Sequence, residues 1–226
     1  MAQQRKLHDK YFRLAKREGY LARSAYKLIE IQKRRKLITK GDRVLDLGCA
    51  PGSWLQVAQK LVGEDGIVVG IDLQRVDHGF GDNVFVSKGD FTTTDSHALL
   101  EPIVGDDTST KFDVVISDMA PSTTGHGDHF MSEQLCQKIV DALPELLKSG
   151  GNCTMKVLEG ETFPDLLKRV KHVFRSAGAI KPDACRDVSR ETYIYGVGFR
   201  PSRVREQEVR SDTAPAMPEP KRGWGS

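Results

Sequence analysis

The stretch Val44-Leu-Asp-Leu-Gly-Cys-Ala-Pro-Gly-Ser-Trp54 decides the fold of this chain. An apolar run that ends in a turn with glycines at positions 48 and 52 is typical of a β-strand that passes into a helix. Gly48 allows a tight turn and lets a ligand approach the backbone, and the helix that follows begins with free N–H groups. The pattern therefore indicates a strand, turn and helix that can bind a nucleotide.

Short apolar runs alternate with helical stretches along the rest of the chain. The predicted strands are Arg43–Leu47, Ile67–Ile71, Val84–Ser87, Phe112–Ser117, Gly151–Val157, Ala179–Asp183 and Thr192–Phe199. The predicted helices are Ser53–Leu61, Ser96–Val104, His129–Lys148 (stopped by Gly150-Gly151) and Thr162–Ala177. This alternation predicts an α/β fold, in which helices cover both faces of a parallel sheet.

Charge and composition divide the chain into three parts. Residues 1–40 hold 13 Lys or Arg against 3 Asp or Glu, although the formal net charge of all 226 residues is only +3. This basic extension is expected to form two helices, broken near Gly19, with the second capped by Ser24. It indicates a surface that binds a polyanion, and a solvated helix face is the alternative. Residues 41–200 form the predicted α/β domain, and the proline-rich residues 201–226 predict a disordered tail.

Several function classes are disfavoured by what the sequence lacks. No apolar stretch approaches the length of a membrane helix, and the first residues have no signal-peptide core, so we expect a cytoplasmic protein. The four cysteines, at positions 49, 136, 153 and 185, lack zinc spacing and are interpreted as reduced thiols. His126 and His129 alone make a metal site an unfavoured interpretation, and we expect their loop, Thr123–His129, to cover a substrate.

Acidic residues follow the predicted strands at the edge of the sheet where ligands bind. The four are Asp46, Asp72, Asp90 and Asp118. Asp72, 20 residues past Gly52, is placed to accept both hydroxyls of a ribose, and Asp90 with Phe91 offers a site for adenine. The dinucleotide fingerprint is absent because position 50 is Ala, so an adenosine without a phosphate chain fits better. The predicted cofactor is S-adenosylmethionine, and the alternative is a purely structural turn.

Four charged residues in distinctive contexts indicate chemistry on a weakly acidic hydroxyl. They are Lys27, Asp118, Lys156 and Glu191. A positioned base contributes roughly 10²–10⁴-fold to such a reaction. A nearby cation makes an ammonium give up its proton more easily, and Lys27 would do this to Lys156. Taken singly, three of them have a plainer interpretation: Lys27 as a surface lysine, Glu191 as an ion-pair partner, Asp118 as a turn residue. Lys156 ends an apolar strand, where a charge needs a partner.

The motifs together resemble the FtsJ-type ribose 2′-O-methyltransferases, and among them the branch that acts on 23S ribosomal RNA. The matching strings, between about Tyr11 and Arg200, are Gly19-Tyr-Leu-Ala-Arg-Ser-Ala-Tyr-Lys27-Leu, Asp46-Leu-Gly-Cys-Ala-Pro-Gly-Ser-Trp54, Gly89-Asp-Phe, Ser117-Asp-Met-Ala-Pro121, Lys156-Val, Lys181-Pro-Asp and Ser189-Arg-Glu-Thr-Tyr-Ile. The resemblance implies a Rossmann-like class I fold with a seven-stranded, mostly parallel sheet. It implies a catalytic set at Lys27, Asp118, Lys156 and Glu191, and S-adenosylmethionine contacts at Gly52, Trp54, Asp72, Asp90 and Asp118.

The resemblance also implies a substrate, a uridine 2′-hydroxyl in the peptidyl-transferase region of large-subunit ribosomal RNA. The expected partner is ribosomal RNA or the large subunit, and a monomer without membrane contact or metal is expected. Alternatives are a methyltransferase for the transfer-RNA anticodon loop and a non-catalytic ribosome-assembly protein; the glycine spacing disfavours a nicotinamide dehydrogenase. One departure is Leu158-Glu159, where the family pattern predicts Phe-Gln, which places an extra carboxylate near Lys156.

Overall fold

The computed structural model describes residues 2–104, 109–121, 127–185 and 189–204. The predicted tail beyond residue 204 and most of the predicted substrate loop Thr123–His129 lie outside these ranges. Residues 201–204 form a helical turn, and Val204 is buried in the core. Chain packing therefore extends a few residues past the predicted domain boundary at Arg200.

The predicted alternation of strands and helices is confirmed. In chain order the elements are α1 (Ala2–Glu18), α2 (Ala25–Arg35), β1 (Arg43–Leu47), α3 (Ser53–Val62), β2 (Ile67–Asp72), β3 (Val84–Lys88), α4 (Ser96–Val104), β4 (Phe112–Ser117), α5 (Asp128–Leu146), β5 (Leu147–Leu158), α6 (Phe163–Val173), β6 (Phe174–Ile180) and β7 (Glu191–Phe199).

The strands form one seven-stranded sheet in the order β3-β2-β1-β4-β5-β7-β6. All neighbouring pairs from β3 to β5 are parallel, and β7 runs antiparallel to both β5 and β6. The order of connection reverses between β1 and β4, which opens a crevice at the carboxyl ends of these strands. This is the predicted Rossmann-like class I architecture.

Helices cover both faces of the sheet, as predicted. Side chains of α4, α5 and α6 form one apolar cluster with the sheet, and those of α2 and α3 form another on the opposite face. A third, small cluster joins α1 to α2 through Ala15 and Tyr26. The predicted basic extension is therefore packed against the α/β domain through α2.

The predicted end of α5 at Gly150-Gly151 is wrong. The helix ends at Leu146 and the chain enters β5 directly. Leu147 pairs with Phe112, but the next pair is Asn152 with Val114, so the two glycines lie in an irregular segment of the strand. Gly150 has a φ of +80°, a conformation that glycine adopts without strain.

Two further local predictions are wrong. Helix α6 ends at Val173 rather than Ala177, and β6 occupies Phe174–Ile180 rather than Ala179–Asp183, because pairing with β7 overrides helical periodicity there. Ser24 makes no capping hydrogen bond; its hydroxyl instead lies 2.7 Å from the Ser53 hydroxyl at the start of α3.

All four cysteines are buried and unpaired. Among the described residues, no helix is both long and apolar enough to cross a membrane.

Candidate active site

A cleft of about 490 Å³ opens at the carboxyl ends of β1, β2 and β4. Its floor includes Gly48 and Ala50 of the turn after β1, and its walls come from the segments after β2, β3 and β4 and from α5. A Cβ added at Gly48 would lie 2.2 Å from Met119 Cγ, and the φ of this residue is +76°. Gly48 is thus required both by the turn and by the close approach of Met119.

Two of the predicted cofactor acids line this cleft in well-defined positions. The Asp72 carboxylate accepts hydrogen bonds from the backbone N–H of Ala50 (2.9 Å) and Gln74 (2.8 Å), and so ties the turn after β1 to the segment after β2. Asp90 accepts one from the N–H of Thr92 at 2.9 Å. Each carboxylate oxygen has a second lone pair, so both acids can still accept hydrogen bonds from a ribose or an adenine.

Gly52 and Trp54, also predicted as cofactor contacts, do not line the cleft. Gly52 precedes α3 with a φ of +110°, and a Cβ there would lie 2.8 Å from the ring of Phe80. The Trp54 indole is buried and donates its N–H to the Ser24 carbonyl at 2.8 Å. Both residues therefore pack outside the cleft, next to the turn after β1. Their contact with a cofactor stays a prediction.

The structure brings the four predicted catalytic residues together. Lys27 of α2 forms an ion pair with Glu191 of β7, and its Nζ lies 3.8 Å from Asp118 Oδ1. The Nζ of Lys156 lies 3.1 Å from the same Asp118 oxygen and donates to the Asp118 backbone carbonyl. Asp118 therefore lies between two ammonium groups, and every charge of the cluster has an opposite charge beside it.

Strand pairing between β5 and β7 fixes half of this cluster. Tyr193 is the cross-strand partner of Lys156, and Glu191 is the partner of Leu158. Because side chains alternate between the faces of a strand, Glu191 and Tyr193 lie on the same face. A shift of register by one residue would turn both away from Lys156.

Tyr193 is a site residue that the sequence did not indicate. Its hydroxyl lies 2.6 Å from Asp118 Oδ1 and 2.7 Å from Glu191 Oε1, and so joins the two acids. Burial, with the two carboxylates, raises the pKa of Tyr193 well above its usual value, so the phenol keeps its proton. The available signal was its position two residues after Glu191 in a strand.

The cluster holds its charges in a largely buried setting. Burial lowers the pKa of Lys27, but the carboxylates of Asp118 and Glu191 more than offset this, and the pKa is raised. Burial raises the pKa of Glu191, but Lys27 and the Tyr193 hydroxyl lower it by more. Both shifts favour the charged pair. The predicted extra carboxylate, Glu159, is exposed, and the ion pair of Lys156 is with Asp118.

Asp46 differs from the other acids at this edge of the sheet. It lies inside β1, is fully buried, and neither carboxyl oxygen has a hydrogen-bond partner among the described residues. Burial, and then the carboxylates of Asp118 and Asp72, raises the pKa of Asp46 well above its usual value. Burial without a hydrogen-bond partner thus disfavours the charged form of this carboxyl.

Comparison with protein families gives one match that covers most of the chain. A model of the family described as FtsJ-like methyltransferase matches residues 20–199. A protein of Syntrophobacter fumaroxidans named ribosomal RNA large subunit methyltransferase E is 44% identical over 198 residues, which cover 87% of this chain and 98% of the relative. A relative of the same name from Methanobrevibacter smithii is 38% identical over 208 residues, covering 91% of this chain and 97% of the relative.

Two solved structures have a similar fold. A ribosomal RNA methyltransferase from Plasmodium falciparum superposes with a TM-score of 0.69 at 26% identity, covering 80% of this chain and 98% of that one. Fibrillarin from Aeropyrum pernix, solved with natively bound S-adenosylmethionine, gives a TM-score of 0.51 at 19% identity, covering 77% of this chain and 76% of that one. The second likeness concerns the fold alone.

Proposed function

This chain belongs to the FtsJ-like methyltransferase family, and on that premise we propose that it transfers a methyl group from S-adenosylmethionine to a ribose 2′-hydroxyl of large-subunit ribosomal RNA. Relatives of 38–46% identity carry the name ribosomal RNA large subunit methyltransferase E. They align over nearly their whole length, so the activity proposed is that of the complete relatives.

One observation carries this proposal: Asp118 belongs to both the cleft and the charged cluster. Asp118 lines the cleft, and its Oδ1 contacts Lys156 and Tyr193. The described residues of the cleft fit an adenosine ligand, because Asp72 and Asp90 supply acceptors and the turn at Gly48 and Ala50 lines the cleft. A methyl donor in the cleft and a hydroxyl at the cluster would then meet at Asp118.

Each residue of the cluster has a role in aligning the hydroxyl. Bound in the cleft, S-adenosylmethionine supplies a methyl group that is already activated as a sulfonium. Lys156, held by both the carboxylate and the carbonyl of Asp118, is placed to steer or accept the proton of the attacking hydroxyl. Lys27 adds a positive charge that favours the developing alkoxide. Glu191 and Tyr193 hold Lys27 and Asp118 in place, which reduces the cost of aligning the reactants.

The proposed target is a uridine in the peptidyl-transferase region of 23S ribosomal RNA. Incubation with labelled S-adenosylmethionine and large ribosomal subunits from a strain that lacks the enzyme, followed by mapping of the 2′-O-methyl group, tests this assignment. Naked 23S RNA and transfer RNA serve as parallel substrates. Label confined to an anticodon loop would favour the transfer-RNA enzyme, and binding without label would favour a non-catalytic assembly protein.

Asp90→Ala should weaken cofactor binding. The variant removes an acceptor that lines the cleft, and we expect the Kd for S-adenosylmethionine to rise roughly 10- to 150-fold, because a lost hydrogen bond to a charged group costs about 1.5–3 kcal/mol. Isothermal titration calorimetry measures the change. The control is Asp82→Ala, because Asp82 is exposed and lies outside the cleft lining. An unchanged Kd for Asp90→Ala would remove Asp90 from the cofactor site.

The basic residues of α2 are not equivalent. Arg34 pairs with Asp183 at 3.2 Å, and the guanidinium of Arg35 lies 4.1 Å from the centre of the Tyr195 ring. Lys33 and Lys36 are exposed, and neither forms an ion pair among the described residues. We propose that these two lysines contact RNA phosphates, whereas the two arginines hold α2 on the domain.

The double variant Lys33→Gln, Lys36→Asn should therefore flatten the salt dependence of RNA binding. Each lost phosphate contact lowers the slope of log K against log salt by about 0.7–0.9. Fluorescence anisotropy with a labelled RNA at several salt concentrations measures this slope. Asn is used at position 36 because Lys36 has a φ of +50°, which Asn tolerates. An unchanged slope would assign both lysines to a solvated helix face.

A further inference from the structure

Helix α1 exposes an aromatic ring on a basic surface. Phe12 is 60% exposed, one of the most exposed large apolar side chains in the described part of the chain. It is followed by Arg13, Lys16 and Arg17, all exposed. Single exposed apolar residues are common, but an aromatic ring among cations is the composition of nucleic-acid surfaces.

These four residues share one side of the helix. Positions 12, 13, 16 and 17 follow the spacing i, i+1, i+4, i+5, which keeps them within one continuous arc of the helix. The opposite arc faces the protein, since Ala15 is buried and Tyr11 and Leu14 are half-buried. The outward arc, here called the α1 face, therefore combines one aromatic ring with three positive charges.

The α1 face is fixed relative to the catalytic cluster. The Tyr11 hydroxyl donates to Glu30 at 3.0 Å, and its ring lies 5.4 Å from that of Tyr26. Tyr26 is the residue before Lys27 on α2, and its hydroxyl donates to Glu18 at 2.8 Å. Glu18 also pairs with Arg17 at 3.7 Å, an exposed contact of small net stability that a phosphate can replace. RNA on the α1 face would lie beside α2, the helix that supplies Lys27.

We propose that the α1 face binds a single-stranded segment of the substrate RNA, with Phe12 stacked on an unpaired base and Lys16 and Arg17 beside the adjoining phosphates. The inference rests on the proposed function, because it identifies the part of an RNA substrate that this face recognises. Positive charge alone attracts any nucleic acid, whereas an aromatic ring adds a contact that only an unstacked base can make. The α1 face thus recognises unpaired nucleotides of the substrate.

The test compares two probes that differ only in their bases: a fluorescent uridine dodecamer and an abasic ribose-phosphate dodecamer. Phe12→Ala should weaken binding of the uridine probe by about tenfold, since stacking contributes roughly 1–3 kcal/mol per base, and leave the abasic probe unaffected. Lys16→Met should weaken both probes alike. Phe85→Ala, on the edge strand β3 with a ring that is 42% exposed, is the matched control and should change neither affinity.

Three results would overturn the proposal: an unchanged uridine affinity in Phe12→Ala, an equal loss on both probes, or unchanged affinities in Lys16→Met. Because Phe12 is exposed and Ala favours helix, the variant is expected to fold, and circular dichroism checks this. The outcome is separable from the proposed function, which depends on methyl incorporation into ribosomal RNA by the unaltered protein.

Discussion

Lys156→Met should reduce kcat for methyl transfer by roughly 10²–10⁴-fold, the contribution of a positioned proton-transfer group. Methionine keeps much of the length and volume of the side chain but has no amine, so the hydroxyl loses the group that steers its proton. Lys156 does not line the cleft, so the Kd for S-adenosylmethionine should change little. Single-turnover transfer and calorimetry separate the two quantities.

The matched control is Lys168→Met, on the exposed side of α6. This variant should retain full activity, which excludes a general effect of removing a lysine. A Lys156→Met enzyme that still turns over at the normal rate would remove Lys156 from the mechanism. A variant that loses cofactor affinity as well as activity would assign Lys156 to binding instead.

Lys27→Met should abolish activity and also destabilise the fold, by about 3 kcal/mol, because it leaves the largely buried Glu191 without its positive partner. Glu191→Gln breaks the same pair from the other side. The double variant removes both charges, so it should regain most of the lost stability while staying inactive. Urea unfolding and methyl transfer, measured on all three variants, separate the structural from the catalytic contribution.

Acid provides an independent check of this ion pair. The folded-state pKa of Glu191 is lowered, so its stabilising contribution is complete above the unfolded pKa of about 4.3 and is lost as the pH falls through the folded value. Glu191→Gln should flatten the loss of stability in acid. Lys40→Met, which breaks the exposed pair with Asp65, should change the free energy of unfolding little. If Lys27→Met and Lys40→Met lowered the free energy of unfolding by equal amounts, the assignment of Lys27 to a buried pair would be contradicted.

Most of the fold was predictable because strand and helix periodicities in this chain are strong and local. The strands around Asp46, Asp72 and Ser117 are short apolar runs next to turn residues, and their bounds agree within one residue. The errors lie where long-range pairing decides. No helix-stop residue comes before Gly178, yet the pairing of Phe174 with Phe199 makes Phe174 the first residue of a strand. Gly150 is a good helix stop locally, but it is used inside β5.

The proposed catalytic set was recognisable because each residue lies in a distinctive string, and the structure brings all four together. The sequence could not show which of these four side chains contact one another. That Lys27 pairs with Glu191, while Asp118 contacts both lysines, depends on how α2 packs across the sheet. The hydroxyl of Tyr193 was missed for the same reason, since a buried tyrosine in a strand is usually a packing residue.

The origin of Lys27 outside the sheet has a practical consequence. The cleft is lined by the segments after β1, β2, β3 and β4 and by α5, whereas Lys27, one of the four proposed catalytic residues, comes from α2, which packs on α3. A fragment that starts near residue 40 would lack Lys27, and it would also expose the apolar surface of α3 and the sheet that α2 covers. Truncation therefore changes folding and turnover together, whereas substitution of Lys27 alone leaves α2 in place on the domain.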